Sequence, residues 1–94
     1  GFYNEVLGIK LQPLSSSLKS ELGINYGLKI VEIKEGVFKQ KGITDDFIIL
    51  SVNHQRVSSE SDLNKALNNS RNGKVRIEGT NSTGTYNIIF EFYR

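Results

Sequence analysis

Apolar and polar residues alternate near the start of the chain. In the segment LGIKL, from Leu7 to Leu11, every second side chain is apolar, which is typical of a strand with one buried face. The only proline, Pro13, follows two residues later and has no N–H to donate to a sheet. We therefore predict a strand in this segment that loses its capacity to pair at Pro13.

Helical spacing follows in the segment SSSLKSELG. Its serines are suited to cap the first turn, and Leu18 and Leu22 lie four residues apart on one face. Gly23 is suited to end the helix in a left-handed conformation. The pattern predicts a short helix here, and the segment GVFKQKG predicts a single helical turn before Gly42.

A second helix has the clearest helical pattern in the chain. Ser58 or Ser59 is suited to cap it, Asp62 falls in its first turn, and it is predicted to continue to about Asn69. Its apolar stripe consists of Leu63, Ala66 and Leu67.

Strand patterns occupy most of the remaining chain. The segment GLKIVEI, from Gly27, predicts a central strand whose alternation slips near Val31, as at a β-bulge. The segment DFIILSVNHQRV predicts a strand from Phe47 to Val52, a turn at NHQR and a return at Val57.

A hairpin is predicted at the end of the chain, where KVRIEG and TYNIIFEFYR flank TNSTG. Its last strand places Ile88, Phe90 and Phe92 on one face, and Phe90 and Phe92 are expected in the core. The order of strands and helices indicates a small, partly open sheet flanked by helices, within one domain of 94 residues.

Composition and charge exclude several classes of function. The chain has no cysteine, so it has neither disulfides nor a thiolate nucleophile or ligand. The formal charge of +2 is distributed over interspersed basic and acidic residues, which is not the clustered basic face of a nucleic-acid-binding protein. No apolar run is long enough for membrane insertion.

Catalytic and metal-binding patterns are also missing. His54 is the only histidine and falls in a predicted turn, and no serine has the glycines of a nucleophile elbow. The adjacent Asp45 and Asp46 would diverge on a strand, which does not match a calcium loop. We therefore expect no catalytic residues, no metal and no cofactor in these residues.

The segments LGIKLQPL, GLKIVEIKEGVFKQKGITDDFIILSVNHQRVSS and SDLNKAL together resemble a PDZ domain in its bacterial arrangement. In particular, the chain resembles the C-terminal PDZ modules of HtrA/Deg serine proteases. The chain departs from their Gly-Asp-Val-Ile…Asn-Gly motif at Asp45, Phe47 and His54, and its Gly-Ser-Pro-Ala turn is replaced at residues 36–39. The residues that match the motif are Asp46, Ile48 and Asn53.

This resemblance implies an α+β, PDZ-like fold. That fold is a partly open antiparallel β-sandwich or barrel of five to six strands flanked by two helices, in circularly permuted strand order. It also implies that the chain is a non-catalytic part of a periplasmic or cell-envelope serine endopeptidase of HtrA/Deg type, active in protein quality control. The implied partners are peptides or unfolded-protein segments, including C-termini, and the protease domain or neighbouring protomers.

The resemblance implies a role for Gly8 and its neighbours in peptide binding. PDZ domains bind an extended peptide by adding it to an exposed sheet edge, which would here be residues 9–12, including Lys10 and Gln12. A glycine tolerates positive φ and lets successive N–H groups converge on a carboxylate, so the donors would be Leu7, Gly8 and Ile9. The terminal side chain would enter a pocket lined by Leu7, Ile9, Leu11 and Leu67. Glu60 and Asn64 would face the preceding ligand residues.

Two features leave an alternative open, in which Gly8 only permits a turn and the apolar residues are ordinary core. Residues 1–8 contain no basic side chain, and Glu5 adds a charge that repels a carboxylate. Pro13 would limit pairing to about four ligand residues, and it is equally suited to protect an edge from aggregation.

Three other apolar residues suggest a different interaction surface. Tyr86, Ile89 and Tyr93 fall on the outer side of the last strand, and C-terminal PDZ modules of HtrA proteins often contribute to oligomer assembly. An assembly module with a vestigial peptide site is therefore the second interpretation. A PDZ domain of another protease, such as a processing or intramembrane peptidase, is the third.

Overall fold

The computed structural model describes all 94 residues of the chain. None of its helices is long and apolar enough to cross a membrane. The strands are β1 Phe2–Asn4, β2 Ile9–Pro13, β3 Leu28–Ile33, β4 Phe47–Val52, β5 Gln55–Arg56, β6 Lys74–Asn81 and β7 Asn87–Tyr93. The helices are α1 Ser16–Leu22, α2 Val37–Gln40 and α3 Glu60–Asn68.

The strands form one antiparallel sheet in the order β1-β2-β3-β4-β6-β7, with β5 paired to β4. A hydrophobic cluster of 15 buried residues forms the core, with members from β2, β3, β4, β6, α2 and α3. The predicted α+β class is confirmed. The sheet has seven strands instead of five to six, because β1 has no counterpart in the predicted order.

The caps of the helices follow the sequence signals. The Ser59 hydroxyl accepts a hydrogen bond from the Asp62 N–H at 3.1 Å, and the Asp62 carboxylate accepts one from the Ser58 N–H at 2.9 Å. Similarly, α1 begins after Ser15 and ends at Gly23 in the left-handed conformation. These caps satisfy backbone donors and acceptors that a helix terminus leaves without partners.

The predicted irregularity near Val31 is a β-bulge. On β2, Lys10 and Leu11 are consecutive, but their partners on β3 are Glu32 and Ile30, so Val31 between them is left out of the register. The Val31 side chain is 41% exposed. The bulge lets β3 return its apolar side chains to the core on both sides of the slip.

The turn between β4 and β5 is held by Asn53. Both Asn53 and His54 have positive φ, at 51° and 66°. The Asn53 side-chain amide donates to the carbonyl of Ala66 at 2.8 Å, and its oxygen accepts from the Arg76 N–H at 2.9 Å. One side chain therefore fixes the turn to α3 and to β6.

The final hairpin places its apolar face as predicted. Ile88, Phe90 and Phe92 are half-buried and pack against the core cluster. Phe90 makes an edge-to-face contact with Phe38 of α2, with ring centroids 5.2 Å apart. The last strand thus closes the core next to α2.

Candidate functional site

The outer edge of β2 is covered by β1 over most of its length. β3 pairs with one edge of β2, and β1 pairs antiparallel with the other. The paired residues are Phe2 with Leu11, Tyr3 with Lys10, and Asn4 with Ile9. In this structure residues 9–11 are therefore not the exposed edge that the sequence predicted, because β1 pairs with them. Through the loop of residues 5–8, β1 folds back and takes the position of a neighbouring strand.

Asn4 binds the backbone donors that were predicted to hold a carboxylate. The N–H of Leu7 donates to Asn4 Oδ1 at 3.0 Å, and the N–H of Gly8 donates to the main-chain oxygen of Asn4 at 2.8 Å. Asn4 is only 8% exposed, so these bonds are shielded from water. We call the N–H groups of Leu7 and Gly8 the donor nest. The third predicted donor, Ile9, lies opposite Asn4 in the β1–β2 ladder.

Gly8 is required by its backbone conformation and by a close neighbour. Its φ is +70°, and a Cβ atom at this position would lie 1.9 Å from the main-chain oxygen of Glu35. Its own carbonyl accepts hydrogen bonds from the N–H groups of Lys34 and Glu35, at 3.0 and 3.2 Å. The N–H of Gly8 is therefore part of the donor nest, and its carbonyl connects the loop to Lys34 and Glu35, which follow β3.

The predicted pocket for a terminal side chain is closed in this structure. Leu7, Ile9 and Leu11 are fully buried, and Leu67 is 3% exposed. All four belong to the core cluster, and none of them lines a cavity. In this conformation these side chains are core residues, as in the alternative left open by the sequence.

The polar residues predicted to face a ligand are on the surface. Lys10 and Gln12 are exposed on β2, and Glu60 and Asn64 are exposed on α3. Their side chains make no hydrogen bonds or ion pairs within the protein, so each is free to contact a ligand.

Charged residues surround β1 on its exposed side. Glu5 is exposed and forms no ion pair, and it lies in the chain between Asn4 and the nest residue Leu7. Lys34 lies with its Nζ 5.5 Å from the centre of the Tyr3 ring. Partial desolvation, and then the carboxylates of Glu35 and Glu5, raise the pKa of Tyr3 above its usual value. Lys34 thus places a basic group beside the Tyr3 ring of β1.

The predicted interaction surface on β7 is exposed but divided. Tyr86, Ile89 and Tyr93 are 67%, 52% and 70% exposed. Glu91 lies between Ile89 and Tyr93 on the same face and pairs with Lys74 of β6 at 3.2 Å. A charged side chain therefore separates Ile89 from Tyr93 on this face.

His54 is exposed in the turn between β4 and β5. Its Nδ1 lies 3.7 Å from the Glu78 carboxylate, and it makes no hydrogen bond to a serine. No group of three or more histidine, cysteine, aspartate or glutamate residues is arranged to hold a metal ion.

Asn4 is the residue that sequence reasoning missed. It is buried and polar, and it ends β1. The sequence signal for this strand is weak, since it consists of two aromatic residues and an asparagine, followed by a four-residue connection to β2. Because a three-residue strand is shorter than most, local pattern alone does not identify it. Lys34 was missed because its position beside Tyr3 depends on the pairing of β2 with β3.

The fold is that of a PDZ domain. The structure matches the crystal structure of the HtrA3 PDZ domain bound to a phage-derived ligand (FGRWV), with a TM-score of 0.71 and 23% sequence identity. The match covers 93% of this chain and 81% of the HtrA3 chain.

The sequence is also similar to a bacterial protease. It is 37% identical over 73 residues to a "Probable periplasmic serine endoprotease DegP-like" of Chlamydia pneumoniae. The aligned region covers 73% of this chain and spans 15% of the protease. No protein-family model matches the chain. The chain therefore has a PDZ fold that resembles the PDZ domains of HtrA proteases, as the sequence motifs predicted.

Proposed function

We propose that this domain binds the C-termini of extended peptides by strand addition to β2. The donor nest receives the terminal carboxylate, and residues 9–12 pair with the peptide main chain after β1 has left residues 9–11. Leu7, Ile9, Leu11 and Leu67 select an apolar terminal side chain. Lys10, Gln12, Glu60 and Asn64 contact the preceding ligand residues.

The observation that carries this proposal is the pair of hydrogen bonds made by the nest. Two consecutive backbone N–H groups bind two oxygens of a single residue, Asn4, in a shielded position. Successive N–H groups in a turn form a concave site that favours anionic oxygen. Because each N–H already bonds to an oxygen of Asn4, the same two donors suit the two oxygens of a carboxylate once Asn4 has left them.

The similar proteins support the same proposal. The structurally similar HtrA3 domain is described with a bound peptide, FGRWV, which ends in an apolar residue. The similar bacterial protein is named as a periplasmic serine endoprotease. We propose accordingly that the domain is a non-catalytic, substrate-binding part of a serine endopeptidase in the periplasm or cell envelope. Its ligands are then unfolded or cleaved protein segments in quality control.

A titration with labelled, unstructured peptides tests the binding mode. The peptides end in Val, Leu, Phe or Ala, and each is prepared as the free acid and as the C-terminal amide. We expect fluorescence polarisation to show binding of the apolar acids, with amidation weakening it at least about tenfold, because charge-assisted hydrogen bonds are lost. Equal affinity for acid and amide would exclude carboxylate recognition. Failure of every peptide to bind the folded domain would exclude the proposed function.

A second function, assembly with another copy through β7, is favoured by the position of this strand. β7 ends the sheet, is seven residues long and contains no proline, and only Glu91 carries a charge within it. A long edge with exposed Ile89 and Tyr93 and few protective charges is suited to pair with a second copy of the same strand.

Sedimentation velocity over a range of protein concentrations tests this assembly. Pairing through β7 predicts a concentration-dependent dimer that Ile89→Lys abolishes, since lysine on an edge strand opposes pairing. Thr85→Lys, which adds the same charge in the preceding turn, is the matched control. A wild-type protein that stays monomeric at all concentrations would contradict assembly through this edge.

A further inference from the structure

β1 follows the path that the proposed ligand would take. It runs antiparallel to β2, and its C-terminal residue, Asn4, is bound at the donor nest. A peptide with its carboxylate at the nest and its chain antiparallel to β2 would run in the same direction. It would also need the same edge of Ile9 to Leu11. β1 and a peptide therefore cannot occupy this site together.

We infer that β1 is an intramolecular competitor that closes the peptide site, and that Asn4 acts as its latch. This inference rests on the proposed function, since it assigns a closed state to the same site. Asn4 takes the place of the ligand's terminal residue: its side-chain and main-chain oxygens accept from the two N–H groups that would bind the carboxylate. Peptide binding then requires β1 to leave β2.

The contacts of β1 are few enough for it to be displaced. The strand has three residues, and its only apolar contribution to the core is the half-buried Phe2. Tyr3 is 37% exposed, and no ion pair ties residues 1–4 to the rest of the protein. Short elements with little buried apolar surface open at lower free-energy cost than the core.

The pairing of β1 with β2 also accounts for the closed pocket. In the β1–β2 ladder Phe2 lies opposite Leu11 and Asn4 lies opposite Ile9, so β1 extends the buried face of the sheet beside these two residues. When β1 leaves, the edge of β2 and the N–H groups of Leu7 and Gly8 become available together. An incoming peptide supplies an apolar terminal side chain and a carboxylate in exchange for Phe2 and Asn4.

A reversible covalent lock tests this inference in the 94-residue chain. Tyr3 and Lys10 are cross-strand partners, and both side chains are exposed. Directly opposed Cβ atoms in an antiparallel pair are close to the spacing that a disulfide needs. Because the chain has no cysteine, Tyr3→Cys with Lys10→Cys creates the only possible intramolecular disulfide. Mass spectrometry then confirms that it has formed.

We expect the oxidised double variant to bind an acid peptide at least about tenfold more weakly than its own reduced form, because the disulfide removes the open state. The single variants Tyr3→Cys and Lys10→Cys are the controls for the oxidant itself. If oxidised and reduced forms bind equally well, β1 is not a competitor, although the peptide site stands. If no form binds any peptide, the proposed function fails and the inference fails with it.

Substitution of the latch gives an independent test. Asn4→Ala removes the acceptor for Leu7 and should tighten peptide binding by roughly fivefold, which is the typical effect of one hydrogen bond. Asn4→Asp is the matched control, since it keeps an oxygen acceptor and should not tighten binding. Equal affinities for Asn4→Ala and the wild type would contradict the role of Asn4 as a latch.

Discussion

The main-chain oxygen of Asn4 accepts a hydrogen bond of 2.8 Å from the N–H of Gly8, and the two residues are joined by only three others. This bond closes the loop that connects β1 to β2. It also occupies one of the two donors that the proposed carboxylate site needs. The same contact therefore stabilises the free protein and opposes ligand binding.

Replacement of Gly8 should destabilise the whole domain. In Gly8→Ala, the new Cβ would overlap the main-chain oxygen of Glu35 and the residue would have to keep a φ of +70°. We expect the free energy of unfolding to fall by about 3 kcal/mol or more, measured by urea denaturation. A peptide-binding defect in Gly8→Ala would then reflect lost folding as well as the lost donor nest.

Gly42→Ala is the matched control for this substitution. Gly42 has a φ of +72°, but a Cβ there would have no atom within 4 Å. Its cost should be only the conformational strain, about 1 kcal/mol. Equal decreases in the free energy of unfolding in the two variants would show that the close approach of Glu35 to Gly8 does not contribute to the loss of stability.

Reversal of the charge at Glu5 should strengthen carboxylate binding. Glu5 is exposed, has no ion pair and directly follows Asn4. We expect Glu5→Lys to bind an acid peptide roughly threefold more tightly at low ionic strength, with the gain shrinking as salt is added. Glu21→Lys makes the same charge change on α1, which follows the far end of β2, and should leave the affinity unchanged. A gain of the same size for the amide peptide would argue against repulsion of the carboxylate.

Tyr3 should ionise at higher pH than an ordinary tyrosine. Desolvation and the carboxylates of Glu35 and Glu5 raise its pKa, so the folded state favours the neutral phenol. This preference stabilises the folded protein below the unfolded pKa of about 10 and is lost as the pH rises through the folded pKa. Deprotonation of Tyr3 should therefore loosen β1 only in alkaline solution.

Ultraviolet absorbance titration of the wild type and of Tyr3→Phe measures this pKa. The difference between the two curves isolates Tyr3 from the other three tyrosines. We expect its midpoint to lie above about 10. A midpoint at or below that value would mean that neither desolvation nor the neighbouring carboxylates raise the pKa of Tyr3.

Glycine should be more stabilising than histidine at position 54, in the turn between β4 and β5. His54 has a φ of +66°, a conformation that a residue with a Cβ adopts at a cost. We expect His54→Gly to raise the free energy of unfolding by up to about 1 kcal/mol in urea denaturation. The control, Gln55→Gly, places glycine in β5 and should lower it by about 0.5 to 1 kcal/mol. Destabilisation by both variants would contradict strain at His54.

The parts of the fold that depend on local pattern could be predicted from the sequence. The cap at Ser59, the C-terminal glycine of α1, the bulge at Val31 and the half-buried Phe90 all follow from residues near them in the chain. Each is determined by spacing, by the conformation a residue permits, or by a capping side chain.

Whether the peptide site is open or closed could not be predicted from local pattern. Apolar residues that line an open pocket and apolar residues in a closed core give the same alternation, so Leu7, Ile9 and Leu11 did not distinguish the two. The answer depends on β1, a three-residue strand that is held by its pairing with β2 and by the bonds of Asn4. That pairing is a tertiary contact, which strand propensity over three residues does not specify.

The most direct test of the account is a two-dimensional NMR titration with an apolar free-acid peptide, followed at the backbone amides of Leu7 and Gly8 and at the side-chain amide of Asn4. The account predicts that all three signals change together, with the Asn4 side chain becoming accessible to solvent as the peptide takes its two donors. A peptide that binds while Asn4 keeps its bonds to Leu7 and Gly8 would contradict the exchange of β1 for ligand. It would also place the binding surface elsewhere on the domain.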